Sequence, residues 1–303
     1  MNIKNIVIAG SFLVWGINSA SAQQTGLSFN PEKGAKYEYH TEMTQSVKQT
    51  VMGQEMPVVV EMSTKCLMEI MDKTTQEITV QYTYREMTYN ISNPMMKMEY
   101  DSKKPIETLS GMNQMLGKML GVMIGQSVTA VYAPDGSVKS FSGMETINKN
   151  MINAIADSGP EGMQTGELMR QQFTDDAMKN AFEQSFKIYP ANPVNVGAGW
   201  NMENVATVNN MKTSSKTRYT LNEVKNGVAF VAVDGEMEMN PGAGMGGKIT
   251  GTHTGTITID TKTGIPLTNE ILQNAKGSII AQGMDIPTEI VSKFKTSING
   301  KEN

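Results

Sequence analysis

The sequence predicts an α+β, β-dominated protein: one large curved antiparallel sheet, half-barrel-like and of about ten strands, with helices packed on its concave face. Three observations carry this. Long runs alternate apolar and polar residues with a period of two, Gly-containing turns separate those runs, and only two stretches switch to a helical period.

The chain opens on a different signal. Lys4 is followed by an apolar run, Ile6 to Ile17, and then by the small residues Ala20-Ser21-Ala22. This is the pattern of a cleavable export signal, with cleavage expected after Ala22 and Gln23 as the mature start. The run is shorter than the roughly 20 residues a membrane span needs. No Cys stands directly after the small residues, so the mature chain is expected in the periplasm or outside the cell without a lipid anchor.

Alternation then marks strands at residues 37–43, 58–71, 77–91, 127–132, 216–224, 228–239, 248–260, 266–273 and 290–298. Turn pairs fall at Met52-Gly53, Asp135-Gly136, Asn226-Gly227 and Thr263-Gly264. Several runs exceed the usual strand of about five or six residues, which favours a single large sheet over a compact sandwich. In the first helical stretch Met112, Met115, Leu116, Met119, Leu120 and Met123 recur at steps of three and four. Gly117, Gly121 and Gly125 fall opposite them on the wheel, so the Met/Leu face is expected to dock on the sheet. The second stretch spans about 143–190 and is broken at Gly159-Pro160 and Gly162. Its best part runs from Thr174, a potential N-cap, through Asp175 and Asp176 to Ile188, and Pro190 ends it.

The halves of the chain, about 30–142 and 195–298, resemble each other. Gly34-Ala35-Lys36-Tyr37 corresponds to Gly197-Ala198-Gly199-Trp200, and the turn at Asp135-Gly136 to the one at Thr263-Gly264. A duplicated meander with a helical insertion within one β-rich domain, residues 23–303, accounts for this. A chance alignment of two β-rich segments is the alternative. The order of Tyr100-Asp101-Ser102, an Asp-Gly hairpin, and the segment from Phe186 through Pro190, Pro193 and Gly197 to Trp200 resembles a family of secreted, uncharacterised proteins of the Gram-negative envelope. The resemblance spans nearly the whole mature chain. It implies the β-rich fold and the exported location, and it brings no assigned activity, cofactor or catalytic residue.

Bulk chemistry narrows the function. Without residues 1–22, 25 basic residues stand against 30 acidic ones, and no basic cluster offers a nucleic-acid surface. No later segment has the length and apolarity of a membrane span. Cys66 is the only Cys, so no internal disulfide forms, and it reads as a small buried residue on a strand. His40 and His253 are the only histidines and have no ligand partners at zinc spacing. Gly242 to Lys248 lacks the hydroxyl and the following helix of a phosphate-binding loop. Asp234, Glu236 and Glu238 share one strand face without a calcium loop around them. No nucleophile constellation is present, and no cofactor is expected.

The 26 methionines remain. Met packs irregular space and makes adaptable apolar surfaces. The first expectation is therefore a non-enzymatic envelope protein that binds a lipid or other hydrophobic ligand in a cavity lined by Met112, Met115, Leu116, Met119, Leu120 and Met123. The alternatives are a soft-metal protein holding copper(I) on Met95, Met96 and Met98, and a structural or partner-binding envelope module.

Overall fold

The computed structural model describes residues 24–156, 159, 162, 164, 166–167, 173–208, 211–242, 245–281 and 283–301. The export signal and its cleavage site lie outside them, as does Pro160 of the break in the second helical stretch. Twelve strands form one antiparallel sheet: β1 (Lys36–Val51), β2 (Gln54–Lys73), β3 (Ile78–Asn93), β4 (Met96–Asp101), β5 (Ser127–Tyr132), β6 (Val138–Ser142), β7 (Gly199–Val208), β8 (Met211–Lys225), β9 (Val228–Asn240), β10 (Met245–Asp260), β11 (Pro266–Ala281) and β12 (Met284–Lys301). Helices α1 (Gly111–Gly121), α2 (Met144–Ala154) and α3 (Asp175–Phe186) accompany it.

The strand order is β6-β5-β3-β2-β1-β12-β11-β10-β9-β8-β7, with β4 paired to β3. The sheet is therefore two meanders joined where the last strand pairs with the first. Twelve strands stand where alternation suggests about ten. The extra ones are short or unevenly patterned: β6 has five residues and β4 six.

The sheet curls strongly at one end, here called proximal. Phe29 N–H bonds Pro134 O in the β5–β6 turn, and the next residue, Asn30, bonds Thr263 O in the β10–β11 turn. Five strand-to-strand steps separate β5 from β11, about 24 Å in a flat sheet at ~4.8 Å per step. Neighbouring residues are only about 3.8 Å apart, so the sheet must bend round to bring the two turns together. The edge strands β6 and β7 do not pair with each other. Helix α3 lies against both.

The main core fills this proximal end. Inward residues of β1 to β5 (Tyr39, Met68, Tyr82, Tyr132) and of β8 to β10 (Leu221, Val231, Ile257) belong to one buried cluster with Phe182 and Phe186 of α3. The sequence explains α3 locally. Thr174 Oγ1 accepts the Ala177 N–H at 3.1 Å, and Asp175 and Asp176 occupy the first turn. The Asp175 carboxylate also accepts the first N–H of α2, from Met144, at 2.9 Å. After the helix, Trp200 on β7 donates to Ile188 O at 3.0 Å and stacks on Tyr219.

The same local device opens both meanders. Gly34 N–H bonds Ile70 O and Ala35 O accepts from Ile70, while Gly197 N–H bonds Leu221 O and Ala198 O accepts from Leu221. A bulge follows each, after Ile70 and after Leu221.

Candidate functional site

The sheet's two faces differ in chemistry, and the register shows how. One side of the lattice contains a row that crosses ten strands: Tyr100, Tyr89, Met62, Met43, Phe294, Ile271, Gly255, Val233, Tyr219 and Trp200. Side chains alternate along each strand, so every second residue joins this side. From the Thr41 row to the distal tips, none of these inward positions is Asp, Glu, Lys or Arg. The charges sit on the opposite side, as in Glu42 and Lys48 of β1, Asp234, Glu236 and Glu238 of β9, and Lys293 and Lys295 of β12. Segregation of this kind leaves an uncharged inner face and a solvated outer one.

The inner face is layered. Above the main core lies a polar row: Gln45, Ser292, Gln273, His253, Gly235 and Thr217. Gln45 Nε2 donates to Ser292 Oγ at 3.1 Å, and His253 Nε2 lies 2.9 Å from Thr217 Oγ1. Gly235 leaves room for the imidazole, because a Cβ there would sit 2.5 Å from the His253 ring. His253 Nδ1 is buried without a protein partner. The next row is Val58, Val47, Ile290, Ala275, Gly251 and Met237, and beyond it a second apolar cluster gathers Met239, Ile249 and Ala275 with Met211, Ile279 and Ile290.

His253 is the one imidazole on this face. Burial holds its pKa below the usual value, with the Asp234 carboxylate opposing. The fold thus prefers the neutral imidazole. As pH falls, the unfolded chain takes up a proton first, near about 6.5, and stability drains from there until the folded-state pKa is reached. Stability from this source is complete above that window. His253→Asn is therefore expected to flatten the fall of the thermal midpoint between about pH 7 and about 5.5, a range above the carboxylate titrations. Equal slopes in the two proteins would refute this.

Helix α1 carries five of the six residues that the helical period singles out, and Met123 lies in the turn just after it. Leu116, Met119, Leu120 and Met123 are buried, Met115 is half-buried and Met112 is exposed. The glycine side of the helix also packs. A Cβ at Gly117 would meet Leu109 at 2.9 Å, and one at Gly121 would meet Ile106 at 3.3 Å, with Tyr100 of β4 near both. The helix is thus gripped on two sides where the wheel suggests one, because the turn Ile106–Thr108 folds back over it. Met96 and Met98 occupy inward positions of β4, while Met95 sits in the β3–β4 turn. The Met95 and Met96 N–H groups both bond Asn93 Oδ1.

Among the described residues, two of the grooves open to solvent bear on the site. The first, about 840 Å³, is lined by the outward pairs Glu203/Val205, Ser214/Lys216, Glu236/Glu238, Thr250/Thr252, Asn274/Lys276 and Glu289/Val291, and so opens on the charged face. The second, about 530 Å³, lies between α2 and α3 beside Asn148 and Asp175. Residues of α1 line neither. Lys248, which ends the glycine-rich segment, is a strand residue paired with Glu238 at 2.6 Å. Burial pushes the Cys66 thiol up to about 12, far from a reactive thiolate. Among the described residues no group of three or more His, Cys, Asp or Glu side chains is placed to hold a metal ion, and no helix is long and apolar enough to cross a membrane.

No curated protein matches the chain. Among solved structures, lipovitellin matches with a TM-score of 0.48 at 10% identity, over 89% of this chain and 26% of that one. The chain therefore spans about a quarter of lipovitellin. An outer membrane channel from Pseudomonas putida F1 matches with a TM-score of 0.23 at 8% identity, over 88% and 96% of the two chains. The β domain of the Bordetella autotransporter BrkA gives 0.23 at 8% identity, over 87% and 99%. A family model matches residues 75–266, from the β2–β3 turn to the first residue of β11. The chain belongs to that family, described as a Family of unknown function (DUF6263).

Proposed function

We propose that this is an exported, non-enzymatic envelope protein that binds a lipid or other hydrophobic small molecule on the uncharged face of its sheet. One observation carries the reading: the inner face bears no Asp, Glu, Lys or Arg from the Thr41 row outward, although the outer face is rich in them. Helices pack against β4, β6 and β7. Over β1, β2 and β12 the inward Met43, Met62, Val47, Val58, Ile286 and Ile290 stay only half-buried. Apolar surface left uncovered in this way marks an interaction site. Met among β-branched residues makes it adaptable to a flexible chain. On this reading the ligand lies on the distal sheet face, bordered at β4 by helix α1, which carries Met112 and Met115. Export rests on residues 1–22.

Lipid extraction with mass spectrometry, and titration with a fluorescent fatty acid, test the reading. Ile290 and Val291 are neighbours on opposite faces. Ile290→Glu is expected to weaken probe binding at least about tenfold, because an unpaired carboxylate would have to be desolvated beneath the ligand. Val291→Glu, on a side chain 41% exposed to solvent, leaves binding unchanged. Val47→Glu on the facing strand repeats the Ile290 result, and circular dichroism confirms that each variant folds. Protein that carries no lipid and binds no probe, or variants that bind alike, would overturn the reading.

A further inference from the structure

The two ends of the sheet are finished differently. Proximal turns are polar: Thr74 Oγ1 accepts the Gln76 and Glu77 N–H groups, Asp135 Oδ1 accepts from Ser137, and Asp260 Oδ1 accepts from Lys262 and Thr263. Two of the distal turns present a methionine. Met52, between β1 and β2, is 88% exposed, and Met95, between β3 and β4, is 79% exposed. No other large apolar side chain among the described residues is as exposed. Beside the β11–β12 turn Ile280 and Met284 are also exposed, as is Met56 on β2.

Turn geometry does not call for these methionines. Met52 and Gly53 have φ of 50° and 78°, and the proximal pair Asn226 and Gly227 has 52° and 77°. The two hairpins share one turn, whose first position is left-handed and suits Asn. The proximal end uses Asn there. The distal end places Met in the same strained conformation and in water, a double cost that its own turn does not repay.

We propose that the distal end docks on a lipid bilayer, with Met52 and Met95 entering the interface. Charge selects the kind of bilayer. Among the described residues the charges toward the distal end balance in sign: Lys48 pairs with Glu55 at 2.7 Å, Lys97 with Glu99 at 2.8 Å and Lys248 with Glu238 at 2.6 Å, while Lys212 and Lys276 stand against Asp285 and Glu289. No excess of positive charge is left to seek anionic lipid, so attachment comes from apolar insertion and needs only neutral lipid. The inference stands on the turns and not on the ligand reading. The two fit together all the same, because the docked end is the one toward which the uncharged face opens.

Cosedimentation with phosphatidylcholine vesicles tests it. The chain from Gln23 onward is used, since every contact described above is made by residues 25–301, and it avoids the apolar segment Ile6 to Ile17. The native protein is expected to bind neutral vesicles equally at low salt and at about 1 M salt, where surface charges are screened. Met52→Ser with Met95→Ser is expected to lower binding at least about tenfold, from two apolar side chains no longer transferred out of water. Failure of the native protein to bind, or binding abolished by salt, would overturn the proposal. So would a native dimer that the double variant dissociates without any vesicle binding, which would assign the rim to a second copy. The double variant keeps its uptake of a fluorescent fatty acid from solution if the ligand reading holds, so the two proposals fail separately.

Discussion

Replacing Phe186 by alanine is expected to lower stability by about 3–5 kcal/mol, read as a shift of the urea midpoint at unchanged slope. Phe186 has no solvent exposure and is the last residue of α3. Its ring meets Phe29 at 5.2 Å and Tyr132 at 4.9 Å between centroids. These partners come from the N-terminal segment and from β5, so one side chain joins pieces of the fold that the sheet does not link. The neighbouring Phe182 extends the contact to Tyr82 and Phe141. A void here opens where β6 and β7 leave the sheet unclosed, and local backbone cannot collapse into it. Gly136 already lies so close to the Phe186 carbonyl that a Cβ would come within 1.7 Å. Phe230 on β9 is the control: it is 38% exposed and faces outward, and its alanine variant should cost no more than about 1 kcal/mol. Similar losses at the two positions would show that α3 is not the wedge described.

Much of this proximal end was legible in the sequence. Thr174 with Asp175 and Asp176 announces the start of α3, and Pro190 its end, because capping chemistry is local. The alternation of Tyr37, Tyr39, Cys66, Met68 and Ile70 announces the strands, because one face there is fully buried. The distal sheet was harder to read. Residues 44–50 are mostly Thr, Gln, Ser and Lys, with Val47 their one apolar residue, so no period of two shows. The inner face was harder still. Gln45, Ser292, Gln273, His253 and Thr217 look like surface residues one strand at a time, and only the register lines them up in one row. The same holds for the absence of charge, which is a property of ten paired strands and not of any one of them. Gly117 and Gly121 show the opposite limit: a wheel gives the helix two faces but not what the turn at Ile106 lays on the second.

Curvature depends on the glycines of the inner face. Gly277→Ala is expected to destabilise by about 2–4 kcal/mol, although glycine inside a strand is ordinarily a weakness that alanine repairs by about 0.4–1 kcal/mol. Gly235, Gly251, Gly255 and Gly277 take inward positions on the neighbouring strands β9, β10 and β11. None has a positive φ, so conformational freedom is not the reason for them. Space is the reason. A Cβ at Gly277 would fall 2.0 Å from Lys248 O and 2.7 Å from Ile249 Cα, and one at Gly251 would fall 2.3 Å from Asn274 O. These are backbone atoms, which no rotamer change can move. The added methyl must push β10 and β11 apart, and Ile249, now without solvent exposure, lies at that point. Gly300 on β12 gives the contrast, with nothing within 4 Å of its Cβ position and an ordinary φ. Gly300→Ala should leave stability equal or slightly raised. Hydrogen exchange supplies a local readout, since opening of the β10–β11 ladder in Gly277→Ala should speed exchange there before the proximal strands respond. If Gly277→Ala were as stable as Gly300→Ala, the strands would have room to spare and these glycines could not be what bends the sheet. If the loss appears, the bend of the uncharged face is set by side chains that are missing, and any ligand on that face lies against strands drawn close by glycine.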